Sequence, residues 1–311
     1  MVRPTVARCL AYAAFALVLA PAADARAQLP AATGRQIALS QPAWKLFVPD
    51  DYQDRGGVAD LLVHFHGDPQ TVWNNAAYAR LNAVVLTVNY SGLSSAYTGP
   101  FTNRRLFGSL LGESLNKLRA LDDFSDNLEW DRVGVSSFSA GYGAVREILK
   151  QSGYRDQIDG VLAADSLYAS TASDGTPLDS QMADYKTYAT LAQQGAKTLL
   201  FSHSRVLTHT YENTAETGDE LLAHLGVAAS PVDRDGLGDL RFYREAQSGG
   251  FRLWGAEGAD GDAHLAHLRY MGEFLRELPL AKVPEPSALM LALPGLAMAA
   301  MRRRRRIAEV R

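Results

Sequence analysis

Residues 133–150, VGVSSFSAGYGAVREILK, place a serine where a strand-like run meets a helix-like one. The run before it is apolar and β-branched, and AVREILK after it carries apolar residues at helical spacing. Ser139 stands at the junction, with Ser137 two positions before it and Gly141 two after. A strand can turn sharply into a helix only if the turning residue takes a strained backbone and its flanking residues are small where the two backbones pass. Ser137, Gly141 and Gly143 meet that size requirement. The next backbone N–H, that of Ala140, then opens at a helix N-terminus, where negative charge is favoured. A hydroxyl beside such a donor suits addition to a carbonyl carbon. The pattern S-x-S-x-G is common by chance, and its position between strand and helix is what gives it weight.

The surroundings agree with such a junction. Residues 28–282 contain no internal repeat and no long low-complexity linker. Short apolar runs recur at 44–49 (WKLFVP), 60–65 (DLLVHF), 83–89 (AVVLTVN), 132–135, 161–164, 198–202 (TLLFS) and 250–254 (GFRLW). Helical patterns lie between them at 71–82 and 104–121, and a last one at 264–278. This alternation predicts an α/β fold with a mostly parallel central sheet and helices on both faces. A hydrophobic content of 47% is enough for one large core in a single domain. The stretch 166–197, with Tyr168, Tyr185 and Tyr188, allows two readings: a small lid with rings suited to a sugar face, or ordinary helix packing.

Both ends have the character of addresses. Residues 1–27 carry Arg3 and Arg8, an apolar run from Cys9 to Ala20, and A-x-A at Ala23–Ala25 and Ala25–Ala27. The run is too short for a stable membrane span and fits a Sec signal peptide, cut after Ala27 or after Ala25. Residues 283–311 carry Pro-Glu-Pro at 284–286, continue with fourteen apolar residues at 288–301 interrupted by Pro294, and reach five arginines at 302–306. This three-part tail resembles the PEP-CTERM sorting signal of Gram-negative bacteria. The resemblance implies Sec export and transient membrane contact through the tail. It also implies processing by an exosortase-like enzyme, and delivery to the cell surface or extracellular matrix. A plain C-terminal anchor is the alternative.

Charge and cysteine content narrow the partners. The whole chain carries a net charge of −3; the two ends hold +2 and +4, which leaves −9 on residues 28–282. An acidic body speaks against nucleic acid and anionic lipid as partners. The one cysteine, Cys9, lies in the expected leader, so the mature body has no disulfide, thiolate nucleophile or cysteine metal site.

At residues 62–68, LVHFHGD, a strand ends in a His-Gly loop, well ahead of the Ser139 junction. With that loop, the strand–serine–helix turn and a late histidine, residues 40–280 resemble the α/β-hydrolase superfamily, of serine esterase and lipase type. The usual first small residue of the turn is glycine, and here it is Ser137. The resemblance implies Ser139 as nucleophile. It implies an oxyanion hole from the backbone N–H of Ala140 and that of Gly67 or Asp68. His64 and His66 alternate along the strand, and His66 reads as loop support. The general base is expected after the last strand, in GAEGADGDAHLAHLRYM, where His264 opens the final helix and His267 is the competitor one turn on. Zinc is not expected at this H-x-x-H pair, for want of a third ligand, and no metal or cofactor is called for. The acid is Asp165, at the end of the VLAADS strand, or else Glu216. The loop after 198–202 offers His203 where an acid is usual, and His203, His209 and His224 read as loop and surface residues.

The expected activity is therefore that of an exported serine hydrolase, a carboxylesterase working through Ser139, His264 and Asp165 on a small-molecule or polysaccharide-linked ester. Acyl transfer to another hydroxyl would use the same groups. The alternative is a surface interaction protein that keeps the scaffold without the chemistry.

Overall fold

In the computed structural model of the protein, residues 29–284 are described. The leader read at 1–27 lies outside them, as does the tail read at 283–311 apart from Val283 and Pro284. Ten strands form one sheet: β1 (Gly34–Ala38), β2 (Trp44–Pro49), β3 (Val58–Phe65), β4 (Ala83–Val88), β5 (Glu129–Phe138), β6 (Ile158–Ala164), β7 (Thr198–His203), β8 (Ser230–Asp235), β9 (Arg241–Ser248) and β10 (Phe251–Ala256). Their spatial order is β1-β2-β4-β3-β5-β6-β7-β10-β9-β8. The six strands from β4 to β10 in that order run parallel, while β1 and β2 at one edge and β9 and β8 at the other are antiparallel.

The parallel strands are buried on both faces, so they read as near-continuous apolar runs rather than alternating ones. Consecutive residues feed two separate cores. Leu61, Val63 and Phe65 of β3 join the core beneath α2 (Ser94–Phe101), α3 (Leu106–Arg119), α4 (Tyr142–Leu149), α6 (Asp179–Gln193) and α7 (Thr214–Leu225). Leu62 joins the opposite core, beneath α1 (Pro69–Tyr78), α8 (Gly261–Arg269) and α9 (Gly272–Leu275). The short α5 (Ser152–Gln157) leads into β6.

Several expectations shift. The final helix, read as 264–278, begins three residues earlier, capped by the Asp260 side chain accepting from the Ala263 N–H. It then breaks at Tyr270–Met271 into α8 and α9, so His264 sits inside the first helix rather than opening it. The stretch 166–197 forms no lid over its second half: 179–193 is α6, the crossover helix, with Tyr185 and Tyr188 fully buried in the core. Among the described residues no helix is long and apolar enough to cross a membrane.

The candidate active site

The six parallel strands end on one edge, and the loops leaving that edge carry the candidate residues. Strain gathers there too. Among the described residues five non-glycines have positive φ, and four of them, His66, Ser139, Asp165 and Leu167, lie just past the ends of β3, β5 and β6. A left-handed backbone costs a non-glycine residue about 1–3 kcal/mol, and such positions cluster where geometry matters for function.

Ser139 takes a φ of 46° and opens one turn of 3-10 helix, Ser139–Gly141, that runs into α4. The turn is possible because Gly141 has no side chain: a Cβ there would run into the Phe65 carbonyl at the end of β3. Gly143, two residues on, passes α2 so closely that a Cβ would stand 2.6 Å from the Ser94 carbonyl oxygen. Ser139 itself remains half-buried.

Asp165 follows β6 with a φ of 42° and is fully buried. Its Oδ1 accepts from the Ser204 N–H at 2.9 Å and from the Thr214 hydroxyl, and its Oδ2 faces His264 Nδ1 at 2.6 Å. Burial pushes a carboxyl upward, yet the nearby His267 and the hydrogen bond from His264, with Thr214, hold Asp165 well below the ordinary carboxylate range. An ionised carboxylate can only accept, so the imidazole proton sits on Nδ1 of His264 and the Nε2 lone pair is left free. The His264 ring lies over Phe138, the residue before Ser139, with centroids 4.5 Å apart and planes 28° from parallel. His66 stacks against the same phenyl ring at 6.1 Å.

The competitors have other partners. His267 is buried, with Nδ1 2.8 Å from the Ser202 hydroxyl and Nε2 unpartnered, and burial lowers its pKa to about 4. The two histidines of the H-x-x-H pair thus face different groups. Glu216 belongs to the capping box of α7, where its carboxylate accepts the Asn213 N–H and the Asn213 side chain accepts from Glu216 N–H. His203 is buried at the end of β7, donating from Nδ1 to the Ser204 carbonyl and accepting at Nε2 from Arg244, and burial takes its pKa to about 3. It is therefore not the surface residue that the sequence suggested, whereas His209 and His224 are exposed.

The His-Gly loop is held from below. His64 Nε2 donates to the His66 carbonyl at 2.9 Å and Nδ1 accepts from Ser136 at 2.8 Å, so this imidazole is neutral and spans β3 and β5. Its burial pushes the pKa to about 3. His66 Nδ1 lies 2.9 Å from the Tyr97 hydroxyl, which fits the supporting role read for it. Gly67 has a φ of 142°, and its N–H points to Asn89 Oδ1 at 3.3 Å. Asp68 caps α1 by accepting from the Thr71 N–H.

Sequence reasoning missed Thr214 and Ser204, the other donors to Asp165, as well as Phe138 and Ser166. Phe138 could have been found from its place beside Ser139. The donors to Asp165 carry no sequence signal, because they come from 39 and 49 positions away.

No protein-family model matches this sequence, and no curated protein matches it. Solved structures resemble its chain path. One is a feruloyl esterase module from Clostridium thermocellum, at 11% identity and a TM-score of 0.42, covering 78% of this chain and 88% of that one. A siderophore hydrolase from Aspergillus nidulans matches at 12% identity and 0.42, covering 85% and 100%. An acylaminoacyl peptidase from Pyrococcus horikoshii matches at 13% and 0.43, covering 85% of this chain but only 44% of the peptidase.

Proposed function

We propose that the protein is a serine hydrolase acting on carboxylic esters, with Ser139 as nucleophile, His264 as base and Asp165 as acid. One observation carries this reading. A buried, ionised Asp165 accepts a hydrogen bond from Nδ1–H of His264, while the His264 ring rests on the residue adjoining Ser139.

The chemistry follows from those groups. The Ser139 oxygen adds to the ester carbonyl carbon as its proton passes to His264 Nε2. The carbonyl π pair becomes an oxyanion, met by the Ala140 N–H and a second amide from the Gly67–Asp68 loop. Collapse expels the alcohol oxygen, which takes the proton back from His264, and an acyl-enzyme remains. Water then repeats the sequence, releasing the acid and restoring the serine. Throughout, Asp165 stabilises the imidazolium without itself taking the proton.

Hydrolysis of short- and medium-chain p-nitrophenyl esters tests this reading, beside Ser139→Ala and fluorophosphonate labelling of the wild type. Turnover and labelling that both vanish in Ser139→Ala would support it. A folded wild type that neither turns over nor labels would sink it. That outcome would favour the binding-protein alternative, for which the Gly67 N–H turned to Asn89 speaks.

Export by Sec and sorting to the cell surface through the Pro-Glu-Pro tail belong to the same proposal, with an acyl group on surface polysaccharide as the substrate. Deacylation of the producer's own exopolysaccharide, dependent on Ser139, is the test. Mature termini that retain residues 1–27 and 283–311 would refute the processing.

A further inference from the structure

Ser137 and Ser166 are both fully buried, and neither belongs to the triad. Their hydroxyls lie 2.8 Å apart, at the ends of β5 and β6. The Ser166 hydroxyl also donates to the Ser139 carbonyl at 2.9 Å. A carbonyl only accepts, so the single proton of Ser166 goes to Ser139 and the Ser137 hydroxyl supplies the proton of the other bond. The residue that departs from the usual glycine of such turns is thus a partner in a three-serine chain.

The carbonyl that Ser166 grips belongs to the peptide unit whose other end is the Ala140 N–H. A peptide unit is planar, so fixing its oxygen fixes the direction of its N–H. Tyr142 N–H approaches the same carbonyl from the start of α4, which pins the oxygen from a second side. Donation to a carbonyl oxygen also polarises the amide and makes its N–H a stronger donor. Without the Ser166 hydroxyl, only the Tyr142 N–H would hold the peptide that follows a residue at φ 46°, and its strain would find partial relief by rotation.

We propose that Ser166, completed by Ser137, is a positioning residue for the oxyanion hole, aiming the Ala140 N–H through the Ser139 carbonyl. This rests on the serine-hydrolase reading. It also ties two parts of the site together, because Ser166 directly follows Asp165: the strand end that delivers the acid also orients the oxyanion donor.

The test uses the purified full-length protein, p-nitrophenyl butyrate as substrate and phenylboronic acid as a tetrahedral mimic whose oxygen occupies the hole. Ser166→Ala should lower kcat about 10- to 100-fold, short of the 100- to 1000-fold seen when an oxyanion donor is deleted outright. KM should change less than twofold, boronate affinity should weaken in step with kcat, and the pH–rate profile should keep its shape. Ser137→Ala, which leaves Ser166 without its donor, should show the same pattern more weakly. It also serves as the second variant if Ser166→Ala fails to fold. Unchanged kcat and boronate affinity in a folded variant would overturn the proposal, as would a kcat loss with a displaced pH profile, which would mean action through Asp165. A wild type without turnover or fluorophosphonate labelling would sink the hydrolase reading and this inference together, an outcome distinct from an active wild type indifferent to Ser166.

Discussion

His264 Nδ1 meets Asp165 Oδ2 at 2.6 Å although 99 positions separate them in the chain. The contact joins the helix after β10 to the loop after β6, and β7 lies between those strands in the sheet. Asp165→Asn keeps the shape but offers a carboxamide that can no longer accept charge, and an amide N–H would face a ring of donors. Turnover of p-nitrophenyl esters should fall about 100- to 10,000-fold. Thermal unfolding should report a loss of about 1–3 kcal/mol from the mismatched buried donors. Wild-type rates in this variant would move the acid elsewhere, Glu216 first.

The two late histidines can be told apart by substitution. His264→Ala should abolish turnover, a loss of about 1000-fold or more in kcat. His267→Asn retains a polar atom for Ser202 and should keep kcat within about tenfold, lowering stability instead. Single-turnover acylation measured on both variants decides the matter, and the opposite ranking would make His267 the base.

Glycine substitutions should separate the turn from the helices. Gly141→Ala drives a methyl into the Phe65 carbonyl and should cost about 1–3 kcal/mol or more, with activity lost alongside. Gly112→Ala, in the interior of α3 with open space around it, should instead stabilise by about 0.5–1 kcal/mol at unchanged activity. Chemical denaturation of the two variants gives the comparison, and equal effects would mean the close approach at Gly141 is not a constraint.

Acid should unfold the protein early. His64, His203 and His267 are held neutral by burial, at about 3, about 3 and about 4. An unfolded histidine titrates near pH 6.5. Below about 6.5 the unfolded chain therefore gains protons that the folded chain refuses, and stability falls until the folded values are reached, by up to about 1.4 kcal/mol per pH unit for each group. Asp165, whose folded carboxyl lies below its ordinary range, adds a second loss below about pH 4. Asp184 and Glu216, both raised chiefly by burial, oppose this over the carboxylate range, but each keeps contact with solvent. As pH is lowered, melting temperature should fall shallowly from pH 8 to 7, where burial lowers Lys282 to about 8, and decline more steeply below 6.5. His203→Gln, which preserves an acceptor for Arg244, should shallow that decline, and an identical slope would refute the account.

Buried strands were legible because their pattern is local: WKLFVP and TLLFS stand out as apolar runs, and β2 and β7 follow them closely. The flanking β1, β8 and β9 were not, since GRQIA, SPVDRD and RFYREAQS are largely solvent-facing and polar, held by pairing rather than burial. Helix α2 escaped notice because SSAYTGPF contains Gly99 and Pro100, which propensity counts against a helix. At the site, Ser139, Asp165 and His264 each announced themselves by position at a strand or helix boundary. The hydroxyls around them did not, because a buried serine that donates to a carbonyl looks in sequence like any other small residue.

The place of β10 in the sheet bears on when the molecule becomes competent. This strand fills the gap between β7 and β9, parallel to one and antiparallel to the other, and only then does the chain deliver the helix carrying His264. Synthesis runs from the other end, so Ser139 and Asp165 are made while His264 is still missing. A chain of this order is born incomplete: the candidate site waits on the segment from Phe251 onward, and the docking of one late strand is what brings His264 to Asp165.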